Sequence, residues 1–413
     1  MLSDYRRIFS PAGSVLFSAA GFIARLPMSM IGVGIVTMLS QLGDEYWLAG
    51  SVSATQALAA AAIGPQISRL VDRHGQRRVV VPAMAVTVAA IGALLLCARY
   101  AAPAWTLYVA AAAAGCMPSM GALVRSRWAE LHRESPRLLH TAYSLESVLD
   151  EVIYVVGPIL AITLSTSVSA EAGPLATAIL LAVGVLLFAA QRRTEPPVRH
   201  ESQRPGGSAL RVPGLGLLVL TLTSVGVTYG SVEVATVAFA GAHDHKGLSG
   251  VLLGVYALGS GLAGMAFGAI SPRGSITRRL LVSVCAMAVT MAPLLFAPSL
   301  AALAGMLFVA GVAIAPTLIT AMGLVNHLAP PAQLTESITW LVSGLSVGVA
   351  LGYAASGWVV DAAGTTAGYR VSCAAAVLAA ATVFLALPRL TRSVAQRSTA
   401  EHGPGISGGD GAL

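Results

Sequence analysis

The sequence predicts an all-α membrane protein of twelve transmembrane helices, arranged as two similar six-helix halves. Three observations carry that expectation. Of the 413 residues, 56% are hydrophobic and only 10% are charged, against roughly 25% charged in a soluble protein, so most of the surface must face lipid. Apolar runs follow one another along the chain, each of the roughly 20 residues that cross a 30 Å hydrocarbon layer. A hydrophilic turn, Asp72-Arg73-His74-Gly75-Gln76-Arg77-Arg78, lies between two such runs, and a worn copy, Pro272-Arg273-Gly274 with Arg278-Arg279, returns about 200 residues later. A repeat that long, built of membrane segments, marks a duplicated chain whose halves move something between them.

The first run, about 13–40, is too long for a signal peptide, contains Arg25 and ends in no small-residue cleavage site, so it is expected to stay as a span. The runs that complete the first half fall at about 48–70, 79–98, 104–124, 141–167 and 174–191. Residues 191–212 hold Pro196-Pro197, Pro205-Gly206-Gly207 and five arginines, the composition of a flexible linker. The second half runs through about 213–240, 249–270, 280–297, 299–323, 335–360 and 370–388, its ninth and tenth spans divided only by Ala297-Pro298-Ser299. The expected organisation is thus a half at 1–190, a linker at 191–212, a half at 213–388 and a polar, Gly-rich, disordered tail at 389–413.

The halves echo each other in detail. Ala60, Gly64 and Ser68 match Ser260, Gly264 and Gly268, and Pro118-Ser119 matches Pro316-Thr317. Small residues every fourth position, which Gly344, Gly348 and Gly352 repeat in the eleventh span, let helix backbones approach closely in lipid.

The net charge of +7 would suit nucleic acid, but its distribution reads as topology. With both termini inside, inner loops and tails hold 21 of the 25 basic residues, outer loops hold Arg99, Lys246 and Arg370, and Arg25 lies within a span. That bias orients the chain by the positive-inside rule, and Trp47, Trp105 and Trp358 fall at the outer interface as aromatic anchors. One Lys against 24 Arg, with abundant Ala and Gly, hints at a GC-rich bacterial genome, hence a bacterial inner membrane with cytoplasmic termini. A monomer is expected. The four cysteines sit inside apolar runs without pairing or metal spacing and read as small core residues. No segment is large enough for a soluble catalytic core, and no glycine cluster precedes Lys-Ser or Lys-Thr, so neither an enzyme nor an ATP-driven pump is expected, and no cofactor. His243 and His245 flank Asp244; a metal is conceivable there, but a solvated loop is expected.

The turn Ser68-Arg69-Leu70-Val71-Asp72-Arg73-His74-Gly75-Gln76-Arg77-Arg78 resembles the first conserved motif of the major facilitator superfamily, with Ser68 where the family has Gly. The likeness extends to span number, orientation, linker and repeat. It implies rocking of two six-helix halves around a central cavity lined by the first and seventh spans, with a small-molecule substrate. From the residues alone, Gly75 permits the tight turn, and Arg73, Arg77 and Arg78 hold the loop inside. The resemblance implies that Asp72 bridges to the second half and latches one conformation; read locally, it is an exposed ion pair of little energy. Proton-linked exporters of the family carry glycines around a Gly-Pro in the fifth span and an Arg in the fourth. Here Gly157-Pro158 is flanked by Ile153, Ala161 and Ile162, and the fourth span, Trp105 to Val124, has no charge.

A charge at the bilayer centre costs about 2.5–3.5 kcal/mol on insertion scales, so the few present need partners or a water-filled cavity. Arg25 cannot lose its proton; it either binds an anionic or polar substrate or pairs with an acid on a neighbouring helix. Glu146 and Asp150, four apart, share a helix face that Tyr154 and Gly157 continue, whereas Glu151 points about 100° away. Two close carboxylates cannot both ionise easily in a low dielectric, the property a proton carrier needs; alternatively Glu146 pairs with loop arginines. Glu233, in the outer half of the seventh span, could share a cavity with Arg25. Gln56, Ser144, Tyr229 and Thr317 are weaker cavity candidates. The expected function is a proton-coupled exporter of a small molecule, with proton-coupled uptake of a small organic anion recognised by Arg25, or of a sugar, or a non-transporting sensor or scaffold, as alternatives.

Overall fold

The computed structural model describes residues 7–43, 45–197, 212–269, 275–329 and 333–401. Fourteen α-helices lie within them: α1 (Ser14–Leu42), α2 (Tyr46–His74), α3 (Gln76–Arg99), α4 (Ala104–Ala114), α5 (Met120–Leu131), α6 (Pro136–Ser167), α7 (Ala172–Ala190), α8 (Leu215–Ala242), α9 (Ser249–Ala269), α10 (Ile276–Met291), α11 (Leu300–Val312), α12 (Ile314–Leu328), α13 (Leu334–Ala363) and α14 (Tyr369–Glu401). Ten stretches are long and apolar enough to cross a membrane. The two remaining spans are α2, whose 29 residues close on the charged Arg69, Asp72 and Arg73, and the interrupted α4–α5.

The interruptions fall at matching places. α4 and α5 are parted at Gly115 to Ser119, around Pro118, and α11 and α12 at Ala313, just before Pro316. A proline removes a helical N–H and crowds the preceding turn, and it stands in the same span of each half. The packing repeats too. A Cβ on Gly115 would strike Ala59 and Ala60 of α2, and one on Gly311 would strike Tyr256 and Ser260 of α9. The Gly344, Gly348 and Gly352 stripe packs as expected: it faces Val219, Thr223 and Val227 of α8, with Gly226 and Gly230 opposed to it.

Two boundaries differ most from expectation. The fourth span runs to Leu131 instead of 124, which brings Arg125 and Arg127 into it. Hydropathy falls at Arg125-Ser126-Arg127, but protein groups engage both guanidiniums, with Arg127 Nη2 left unpartnered, so the helix continues. Arg127 is fully buried, donates to Gln76, to Thr194 and to the Gln191 carbonyl, and lies 3.7 Å over the Phe188 ring. The helix of the twelfth span continues past 388 to Glu401, so 389–401 is helical and not the disordered tail expected there; residues 402–413 of that tail, and 198–211 of the linker, lie outside the described residues.

The halves meet along two seams, α2 with α13 and α6 with α9, both on the side away from the arginine-rich loops. A Cβ on Gly50 of α2 would strike the Tyr353 carbonyl of α13, and one on Gly357 the Tyr46 carbonyl. A Cβ on Gly250 of α9 would come within 3.0 Å of Ile159 Cα on α6. Asp361 of α13 accepts the Tyr46 and Trp47 backbone N–H groups at 3.1 and 2.6 Å, capping α2 from the other half. Lys246 Nζ donates to the Ser40 carbonyl near the end of α1 at 2.9 Å. Acid at a helix N-terminus and cation at a C-terminus both complement the helix dipole. Nearer the arginine-rich side, a Cβ on Gly64 of α2 would meet nothing within 4 Å, so that part of the stripe stands clear. The far side is shut.

Candidate transport site

Arg25 sits on α1 where the helix passes close to α5 and α7: Gly21 abuts Val124, and Gly184 abuts the Ala24 backbone. Its guanidinium is 3% exposed and fully engaged. Nε donates to the Gly21 carbonyl at 3.2 Å, Nη2 to Glu146 Oε2 at 2.5 Å and Nη1 to Asp150 Oδ1 at 2.7 Å. Of the two readings open for Arg25, the structure thus shows pairing with acids.

Glu146 is completely buried and pairs with Arg25, not with loop arginines. Its other oxygen accepts from Trp128 Nε1 at 2.6 Å and Ser18 Oγ at 3.2 Å. Trp128, also buried, is held among Phe9, Phe17 and His132. Asp150 is 30% exposed and accepts from Arg125 Nη2 on its second oxygen at 2.5 Å. Two guanidiniums and two carboxylates therefore close a neutral network inside the first half, joining α1, α5 and α6. The i, i+4 spacing of Glu146 and Asp150 put both acids on one face, as expected. Arg125 was not legible as a partner, because its position at the edge of an apolar run reads as a loop charge.

Glu233 does not share a pair with Arg25. It accepts a hydrogen bond from Tyr353 Oη of α13 at 2.6 Å. Its place far along α8 puts it beneath the shut side, where Tyr353 also packs its hydroxyl against Gly32 of α1. Four tyrosines gather here from four helices. Tyr154 of α6 lies within electrostatic reach of Asp150, Glu151 and Glu233; Tyr229 of α8 senses Tyr154, Glu151 and Glu233. Tyr229 and Tyr256 of α9 meet edge to face, centroids 5.8 Å apart at 74°. Tyr154 is 45% exposed. Glu151, also exposed, points away from the Arg25 network as expected and reaches toward Gly261 of α9. Of the weaker candidates, only Tyr229 joins this cluster. Ser144 and Thr317 bond to carbonyls of their own helices, and Gln56 is buried. Tyr256 and Tyr353 were missed because single tyrosines in apolar spans carry no periodic signal.

In the motif turn, Gly75 adopts φ 89°, a conformation that favours glycine, and its N–H bonds to the Val71 carbonyl at 2.8 Å. Asp72, Arg73, Arg77 and Arg78 are exposed, and the Arg77 N–H donates to Glu195 at 3.0 Å. Among the described residues no group of three or more His, Cys, Asp or Glu is placed to hold a metal; His243 and His245 bond to backbone carbonyls.

The family model described as Major Facilitator Superfamily matches residues 17–304 and 247–407. No curated protein matches the chain. Similar solved structures include a point mutant of the nucleoside transporter NupG, at TM-score 0.71 and 15% identity over 92% of this chain and 99% of that one. A mutant of the peptide transporter POT aligns at 0.72 and 12% identity, over 93% and 96% of the two chains. The human organic anion transporter MFSD10 aligns at 0.62 and 14%, over 91% and 100%. These likenesses show a shared fold. With the family model spanning both halves, the chain belongs to the Major Facilitator Superfamily and is a multi-pass membrane transporter, not an enzyme.

Proposed function

We propose that the chain is a proton-coupled secondary transporter that exports a small molecule by alternating access. It would work as a monomer in a bacterial inner membrane with cytoplasmic termini. The arginine distribution supports that orientation. The observation that carries the reading is the division of membrane acids between two environments. Glu146 is sealed by three donors and serves to fix Arg25. Asp150, partly exposed between two arginines, Glu233, held only by a neutral hydroxyl, and the exposed Glu151 are the acids left to exchange a proton.

Opening the far side would draw α13 off α1 and α2 and uncover Glu233 to that side. Rocking back would present it to the other side. Protonation of Asp150 would weaken its hold on Arg125 first, since Arg25 keeps Glu146. The proton gradient supplies the drive, about 2.3 kcal/mol per charge per 100 mV. Uptake of an anion through Arg25 draws little support from a guanidinium already paired twice.

The test is transport in proteoliposomes under an imposed pH gradient. Glu233→Gln and Asp150→Asn should each uncouple substrate movement from the gradient; if both variants keep coupled transport, the reading fails. Asp72→Asn is expected to alter the transport rate, as a latch on the arginine-rich side would require.

A further inference from the structure

We propose that the cavity takes an organic cation, a protonated amine carried on an aromatic or apolar body, with the ammonium between Glu151 of α6 and Glu233 of α8. The proposal rests on the reading of this cavity as the transport site and names its substrate class.

Charge balance is the first support. The four charges of Arg25, Arg125, Glu146 and Asp150 neutralise one another. Glu151 and Glu233 remain, one from each half, and among the described residues neither has a basic partner. An unmatched carboxylate within the span is costly, and a ligand cation would match both. An anion would meet two like charges.

The walls are the second support. Tyr154 and Tyr229 both lie within reach of the two carboxylates, and tyrosine faces attract ammonium groups through the ring quadrupole.

The third is an orphan. Tyr256 is 4% exposed, yet its hydroxyl has no hydrogen-bond partner, although buried polar groups are almost always satisfied. Its ring abuts Tyr229, and its hydroxyl lies within electrostatic reach of Glu233. An ammonium N–H would give that oxygen its partner. Ser260, one turn along α9, lies close to the Tyr229 side chain.

Three probes of matched size separate the cases: phenethylammonium, 2-phenylethanol and 3-phenylpropionate, titrated calorimetrically into the purified full-length protein. The cation should bind at least tenfold more tightly than the alcohol, and the carboxylate weakest. Glu151→Gln and Glu233→Gln should each weaken the cation about tenfold or more while leaving the alcohol unchanged, and Tyr256→Phe should weaken the cation severalfold. Thermal unfolding of each variant checks that the fold is kept; if Glu233→Gln does not fold, Glu151→Gln decides alone. Equal binding of all three probes, no binding of any, or carboxamide variants that bind the cation as well as the parent would each overturn the proposal. Binding is read without a gradient, so failure of proton coupling would overturn the transport cycle and leave this result standing.

Discussion

At the scale of single residues, the most consequential contact is Arg25 on Glu146. Both are buried, and removing one partner of such a pair leaves an unmatched charge that costs more than the pair contributes. Glu146→Gln keeps an acceptor for Trp128 but leaves Arg25 sharing Asp150 with Arg125. A loss of about 3 kcal/mol is expected, read as a lowered unfolding midpoint of the purified protein, and Arg25→Met with Glu146→Met should lose less than either change alone. The pairing was half legible: the i, i+4 acids are visible in the sequence, whereas Arg125 was hidden because a charge at the edge of an apolar run reads as a loop residue.

At the scale of elements, helix ends carry the contact between halves. Asp361 caps α2 from α13. A carboxylate at an N-cap is worth about 1 kcal/mol, and that free energy acts only while the far side is shut. Asp361→Ala should therefore shift the conformational equilibrium about fivefold toward the opened far side, since 1.36 kcal/mol is a factor of ten. Spin-label distances between the far ends of α2 and α13 would show the longer population grow; an unchanged distribution would mean that the cap forms in both states. Most element boundaries were legible to within a few residues, but not the end of the fourth span, where charge and burial disagree. α5 continues through Arg125 and Arg127 because protein groups engage both side chains.

At the scale of the whole molecule, two glycines of one helix report opposite states. Gly50 lies in the shut seam against the Tyr353 backbone, whereas Gly64 meets nothing within 4 Å. Gly50→Ala should wedge the far side open, because backbone cannot yield as a flexible side chain does. Gly64→Ala should leave the present state intact and act only where the arginine-rich ends close. Opposite shifts in the accessibility of a cysteine placed at position 28, where Met28 is 62% exposed, would bear this out. Shifts in the same direction would argue against rocking about a shared cavity.

The sequence by itself determined the spans, the duplication, the family and the acids on one face of α6, because hydropathy, repeat spacing and helical period are local properties of the chain. Tertiary structure alone decided which charges are spent on each other. Arg25 is closed off by α6, Glu233 is left to a tyrosine, and tyrosines from separate helices gather around it. Those outcomes depend on how helices far apart in the sequence turn toward one another, and packing fixes that rotation where composition cannot.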